Sequence, residues 1–389
     1  MEGRIQHENG IRKAFYEARR QAEIFGADQV FDLSIGNPGA PAPDDVREAL
    51  LRIADDPAAS HGYMSEAGYE DTRQALADSI RERFNCACTA DDLVMTVGAA
   101  GGLNAALLSV IDPGDEVIVF RPYYPAYREF IDNWNGTIVE VDPAGPQLMP
   151  DMADLRAKLS PRTKAVLVNT PQNPTGAVYD EATCRELAAC LNEAQDRFGT
   201  EIALISDEPY RELVYGGAKA PWWPDWYANS LVVYSFSKSL SLAGERIGYV
   251  MIPHKVPDHD RIVRAVRRAM GKIGYVNAPA IAQRIAGECA KASVDLEYYS
   301  RSRDFLKDLM TRLHFDFVDP QGAFYLFLKA PGGDEKRFMA MASERHLIFV
   351  GGSHFAYPGY VRVSFCCPYE KLVRAEKAFE ALARDCESL

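Results

Sequence analysis

The stretch LVVYSFSKSLSLAGERIGYVMI, residues 231–252, decides the fold. Two β-rich runs, LVVYS (231–235) and IGYVMI (247–252), flank a serine-rich segment that carries Lys238, with Arg246 at the border of the second run. The same texture recurs upstream in LVMTV (93–97), EVIVF (116–120), TIVEV (137–141), AVLVN (165–169) and IALIS (202–206). These runs are continuously apolar, which is the pattern of strands covered on both faces. Most are separated by helix-like segments such as Glu181–Phe198. Strands alternating with helices predict a large α/β domain around a mostly parallel seven-stranded sheet covered by helices.

The rest of the chain sets the frame. A length of 389 residues suggests about two or three domains at ~150 residues each. Apolar residues make up 47% and charged residues 25%, which excludes disordered, collagen-like and coiled-coil classes. A net charge of −12 repels a phosphate backbone, so nucleic acid is not an expected partner. Eight cysteines include Cys86–Ala87–Cys88 and adjacent Cys366–Cys367, neither with the spacing of a redox or zinc motif. No metal is expected, and the low cysteine density fits reduced thiols in a cytoplasmic protein. The N-terminus alternates charged and apolar residues without the apolar run of a signal peptide. Leu93–Ile111 carries no charge, but its glycines and Asn104 suit strand, glycine loop and helix better than a membrane span, so no membrane partner is expected.

Ile11, Phe15, Ala18, Ala22 and Phe25 are spaced as one face of a helix that Gly26 ends. FDLSIGNPGAPAPDDV, from Phe31, is an ordered loop rich in proline and glycine. After about residue 288 the pattern turns helix-rich (Tyr298–Leu313). It then gives two strands, AFYLFLK (323–329) and YVRVSFC (360–366), and a final helix near Tyr369–Leu382. The expected division is a large domain over 45–288 and a smaller α+β domain built from 1–44 and 289–389.

Ligands of open α/β sheets sit beyond the carboxyl ends of the strands, so the residues just past each strand end matter most. GAAGGLN after the first strand offers bare N–H groups to a phosphate, although small residues also simply let a helix pack close. TPQNPTG (170–176) fixes a rigid turn around Asn173. Asp207 ends a strand, where it acts either as a helix N-cap or as the partner of something cationic. Lys238 stands past another strand end among Ser235, Ser237, Ser239 and Ser241; lost solvation there lowers an amine's pKa and makes it a nucleophile for carbonyls. Arg246 offers a planar fork that matches phosphate oxygens.

In SFSKSLSLAGERIGY, NTPQNPTG and ISDEPYRELVY the chain resembles class I/II aminotransferases, which are fold-type I pyridoxal-phosphate enzymes. The likeness extends in order through LSIGNPGAPAP, GYMSEAGYEDTRQAL, TVGAAGGLNAALLSVIDPGDEVIVFRPYYPAY, GAFYLF and PGYVRVSF, roughly residues 31 to 366. It implies pyridoxal 5′-phosphate as cofactor, held by Lys238 as an aldimine, and transfer of an amino group between an L-amino acid and a 2-oxo acid. Lys238 would also move the substrate Cα proton. Asp207 resembles the acid that meets the pyridine nitrogen. Asn173 and Tyr210 resemble the pair bonded to the cofactor's phenolic oxygen. Ser235, Ser237, Arg246 and the backbone of Ala99 and Ala100 match the phosphate-holding positions. Tyr124 matches the aromatic that stacks on the ring, with Tyr123 as the neighbouring alternative. Tyr63 resembles a tyrosine that reaches the phosphate of the partner subunit, which implies a homodimer with shared active sites. Arg362 matches the clamp on the substrate carboxylate, and Gly36 a loop glycine that approaches the substrate. The peptide bonds before Pro122 and Pro174 fall where family members carry cis prolines.

The resemblance leaves the chemistry partly open. The same scaffold also supports elimination, replacement, cyclisation or oxidation of an amino acid, and in another class it appears in regulators fused to DNA-binding modules. No appended helix-turn-helix region is visible here. His354 stands where a small residue is expected, either as a substrate contact or as a loop histidine. APWWPDWYAN (220–229) either walls the substrate entrance or serves dimer or surface packing. No second arginine is positioned for a side-chain carboxylate, so preference for aspartate or glutamate has no support.

Overall fold

The computed structural model describes residues 10–56 and 61–387. Seven strands form the central sheet: β1 Leu93–Val97, β2 Glu116–Phe120, β3 Thr137–Val141, β4 Thr163–Asn169, β5 Ala203–Asp207, β6 Ser230–Ser235 and β7 Ile247–Met251. Their spatial order is β1-β7-β6-β5-β4-β2-β3, with β7 antiparallel to both neighbours and every other pair parallel.

Both faces of this sheet are buried, because consecutive side chains point to opposite sides and both sides are apolar. Val94, Val117, Leu167, Ile205, Val233 and Val250 join one core, together with Leu103 of helix α1 (Gly98–Val110) and Val266 and Met270 of a helix spanning His259–Lys272. On the other face Ile118, Val166 and Leu204 pack against Leu187 and Leu191 of helix α2, Glu181–Phe198. Each such aliphatic side chain contributes roughly 1.5–3 kcal/mol of burial free energy. The charge-free stretch is thus a strand and a core helix. Its glycines form the first turn of α1, where the sequence suggested a loop.

A second core joins chain ends that are distant in sequence. Phe31 and Leu33 pack with Leu306 and Leu309 of helix α3 (Leu296–Arg312), Val361 and Val363, and Leu372 and Phe379 of helix α4, Tyr369–Cys386. A four-stranded antiparallel sheet supports this core, in the order Phe317–Val318, Tyr325–Lys329, Tyr360–Ser364, Val350–Gly351. Two of these strands are two residues long, too short to show in a hydropathy pattern. The loop after Phe31 is tied down by its own backbone: Leu33 N–H donates to Ile348 O at 3.1 Å, and Leu33 O accepts from Ser364 N–H at 2.8 Å. The N-terminal helix spans Gly10–Phe25 as expected, except that Phe25 turns outward, 51% exposed. Peptide bonds before Pro122 and Pro174 are cis, as is the one before Pro171.

Candidate active site

The parallel strands β1, β2, β4, β5 and β6 end on one edge of the sheet, and antiparallel β7 begins there. That reversal brings Arg246 to the edge at which Asn169, Asp207 and Ser235 terminate their strands. These ends enclose a cavity of about 270 Å³. Gly36, Ala99, Ala100, Tyr124, Asn173, Asp207, Tyr210, Ser235, Ser237, Lys238, Arg246 and Arg362 all line it. Among the residues singled out from sequence, Tyr63 lies outside, fully exposed at 103%.

Asp207 forms the floor. Its Oδ2 accepts a hydrogen bond from the Tyr127 hydroxyl at 2.6 Å, while its Oδ1 is buried and accepts none. Burial raises this carboxyl to about 7, against the lowering effect of the Tyr127 bond. A buried carboxylate oxygen without a donor is costly unless a cationic N–H of a ligand meets it. The helix N-cap role is not the one it plays, since no helix follows β5 directly.

Lys238 Nζ donates to Gly36 O at 2.6 Å and stands 5.1 Å from the centre of the Phe324 ring. Burial lowers the amine to about 8; Cys366 opposes the shift, and the nearby Arg362 and Arg246 reinforce it. A far larger share of this lysine is therefore neutral near pH 7–8 than of a solvated one, as a nucleophile requires.

At one end of the cavity the first turn of α1 presents Ala99 and Ala100. Opposite, Ser235 Oγ caps the short helix Phe236–Ser239 by accepting from Ser237 N–H, with the two hydroxyls 2.8 Å apart. Gly98 has φ +64, and a Cβ there would come within 3.0 Å of Arg246 Nη2, so a bare backbone lets the guanidinium close over the helix start. Arg246 has no carboxylate partner among the described residues. N–H groups, hydroxyls and a guanidinium converging at a helix N-terminus make a phosphate cradle.

At the other end Arg362, 1% exposed, donates from Nη1 to Asn173 Oδ1 at 2.9 Å and from Nη2 to Ser34 O at 2.6 Å. Its guanidinium lies 4.3 Å from the Tyr325 ring centre and 4.9 Å from that of Phe355. Its Nε has no partner, and among the described residues no carboxylate pairs with it. The Tyr210 and Tyr325 hydroxyls meet at 3.0 Å, and burial holds Tyr210 well above its usual pKa, so it remains a donor. A Cβ on Gly36 would fall 1.9 Å from Tyr325 Oη, which admits only glycine there.

Tyr124 faces the cavity, and its ring meets Tyr127 edge-on with centres 5.6 Å apart. Tyr123 turns away and donates to Glu140 at 2.7 Å, which decides between the two tyrosines. Tyr127, Asn169, Tyr325 and Ser34 also belong to the site, although sequence reasoning does not single them out. Each lies within a quoted motif, but only the folded chain aims its polar atom. Asn169 bridges two strand ends, donating to Asp207 O at 2.8 Å and accepting from Asn173 N–H at 2.8 Å.

Two sequence expectations need correction. His354 is exposed and lines a separate groove with Gly10, Met339 and Ser343. The tryptophan-rich segment neither walls the cavity nor covers a surface: Trp222, Trp223 and Tyr227 are 5%, 0% and 2% exposed and complete the large core. Trp222 stacks on Phe84 at 3.9 Å.

The fold and this edge of the sheet define an enzyme that handles a small phosphorylated or carboxylated molecule through an amine, and comparison with known proteins narrows the class. The profile of the family described as aminotransferase class I and II matches residues 28–379. The chain is 33% identical over 384 residues to an aspartate/prephenate aminotransferase of Thermus thermophilus, covering 95% of this chain and 92% of that protein. It is 32% identical over 314 residues to a valine–pyruvate aminotransferase of Mycobacterium tuberculosis, covering 76% and 74%. A crystal structure of an aminotransferase from Eubacterium rectale superimposes with a TM-score of 0.95 at 37% identity, over 98% of this chain and 96% of that one. The protein belongs to the class I and II aminotransferase family, enzymes that transfer amino groups. Among the described residues, no helix is long and apolar enough to cross a membrane.

Proposed function

We propose that the protein is a cytoplasmic, pyridoxal 5′-phosphate-dependent enzyme that moves the amino group of an L-amino acid to a 2-oxo acid at this cavity. The observation that carries the reading is a set of three buried or confined charges, each lacking its counterpart: the free Oδ1 of Asp207, the desolvated amine of Lys238 and the acid-free guanidinium of Arg362. Pyridoxal phosphate fits, because it brings a protonatable ring nitrogen, an aldehyde and a phosphate to a site that offers an acid, an amine and a cradle. When bound, the cofactor supplies an electron sink for negative charge at the substrate Cα. Asp207 keeps the ring nitrogen protonated. Ser235, Ser237, Arg246 and the α1 backbone hold the phosphate, while Asn173 and Tyr210 donate to the phenolic oxygen and Tyr124 covers the ring. Arg362 binds the substrate carboxylate through its planar fork and so presents Cα to Lys238, which accepts and returns the proton.

The apolar lining is Ile11, Leu103 and Phe130, and the cavity's cations are Lys238, Arg246 and Arg362. With those three engaged, an amino donor with an apolar side chain suits the cavity better than an acidic one. Half-reaction spectroscopy tests the function: a neutral amino donor bleaches the yellow enzyme and a 2-oxo acid restores the colour. Release of ammonia without bleaching would overturn transfer.

The functional division runs at 45–288 against 1–44 with 289–389, with the cavity between Arg362 and Gly36 on one side and the sheet edge on the other. The working form is a homodimer with shared sites. Tyr63 stands free at 103% exposure, beside a loop that shows Tyr275 and Val276 to solvent, and Asn277 donates to Ser65 O at 2.7 Å. Mixing Tyr63→Phe with Lys238→Ala subunits should yield hybrids with one intact site; a strictly monomeric protein would end this part of the reading.

A further inference from the structure

At the opposite edge of the sheet, about 16 Å away along a five-residue strand, three side chains converge that the amino-transfer chemistry does not use. Asp92 lies just before β1, His254 follows β7, and His259 opens the helix His259–Lys272. One ligand atom from each lies within 4.8 Å of the others. His259 Nε2 is 2.8 Å from Asp92 Oδ1, and His254 Nε2 is 3.0 Å from Asp92 Oδ2. The two imidazoles lie 4.8 Å apart, centre to centre.

Asp92 is fully buried, at 0% exposure. Its Oδ2 is engaged by the Thr89 N–H at 2.7 Å and the Thr89 hydroxyl at 3.1 Å, while Oδ1 accepts no hydrogen bond and faces the histidines. A sealed carboxylate oxygen without a donor points to a missing cation. The surroundings are those of ligands already oriented. His259 Nδ1 sits 3.0 Å from Asp260 Oδ1, the second-layer carboxylate that fixes which imidazole nitrogen is left to bind metal. Its Nε2 also lies 3.2 Å from Ile252 O.

We propose that Asp92, His254 and His259 form a binding site for a divalent transition-metal ion, Zn²⁺ by ligand set. Two imidazole nitrogens and one carboxylate oxygen make a three-ligand zinc set with an open fourth position. His254, whose side chain is 46% exposed, leaves that position to water. Zinc bonds of about 2.0 Å set ligand atoms roughly 3.3 Å apart, so an ion enters after outward shifts of a few tenths of an ångström. Bound there, it ties the start of β1, the end of β7 and the first turn of the following helix into one joint, away from the cavity.

The probe is Zn²⁺ alone, added to metal-stripped, untagged, cofactor-loaded protein without amino acid, and followed by calorimetry and thermal melting. One ion per chain should bind and raise the melting temperature, because a ligand confined to the native state stabilises it. His254→Gln with His259→Gln should abolish both signals and leave amino transfer unchanged, and that retained activity shows the variant is folded. Asp260→Asn should weaken binding by roughly ten- to a hundredfold through the second layer alone. No binding to the parent protein, or equal binding to the double variant, overturns the site and leaves the cluster a hydrogen-bonded cap.

Discussion

Asp207 and Glu208 are adjacent in the chain, both are carboxylates and both are buried, yet the fold treats them oppositely. Glu208, 1% exposed, accepts from Arg211 Nε at 2.6 Å and from the Ser206 hydroxyl at 2.7 Å. Arg211 in turn donates to the Tyr249 hydroxyl at 3.1 Å and lies over the rings of Tyr234, Phe84 and Trp222 at 4.6, 5.2 and 5.3 Å. Asp207, one residue earlier, keeps an oxygen free toward the cavity. A strand sends neighbouring side chains to opposite sides, so one carboxylate faces the frame and the other faces the ligand. Buried charges satisfied within the protein hold structure; buried charges left incomplete await a substrate or cofactor.

The largest effect should come from the incomplete set. Lys238→Ala should lower turnover at least ~10⁴-fold and abolish covalent attachment of pyridoxal phosphate after borohydride reduction. Attachment retained at another lysine would move the site.

The paired carboxylates come next, and they should part company. Asp207→Asn should cost roughly 3–5 kcal/mol of interaction with the loaded site, about two to three and a half decades of turnover, with the cofactor-free fold undiminished. Glu208→Gln should instead strand Arg211 and lower unfolding free energy by about 3–5 kcal/mol in urea titrations. Equal melting losses in both variants would erase the distinction. pH sharpens it further. A carboxyl raised to about 7 in the native state holds its proton where the unfolded chain has released it. Its contribution is fully present below pH ~4 and is lost as pH rises through about 7. Cofactor-free protein should therefore lose stability between pH 4 and 7 relative to Asp207→Asn, and parallel curves would place the proton elsewhere.

Arg362→Ala should have the smallest effect of the series. Losing charge-assisted bonds of about 1.5–3 kcal/mol lowers kcat/KM for carboxylate substrates by roughly ten- to 150-fold. Most of the change should appear in KM, and an unchanged KM would place the carboxylate elsewhere.

Much of this was legible in the chain. LVMTV, EVIVF and TIVEV begin and end as strands where their apolar runs do, and Glu181–Phe198 is a helix over its full expected length. Lys238, Asp207 and Asn173 could be singled out because each follows a strand, and strand ends face ligands. Tyr127 and Tyr325 could not, since their roles depend on rings turning toward Asp207 and Tyr210 from other elements. The Trp222–Tyr227 segment misled because clustered aromatics look alike in sequence whether they fill a core or a surface. The Asp92 cluster had no motif at all, its members belonging to separate elements of the sheet edge.

The sequence by itself determined which segments are strands and helices, which loops carry an acid, an amine and guanidinium groups, and that all belong to one α/β enzyme. Those are local properties: periodicity, turn chemistry and residue type act over a few neighbours. Only the tertiary structure decided that β7 runs backward to deliver Arg246, that Tyr124 and not Tyr123 faces the cavity, and that Asp207 has a free oxygen where Glu208 has none. Those depend on partners far away in the chain, because whether a buried charge is satisfied is set by what packs against it.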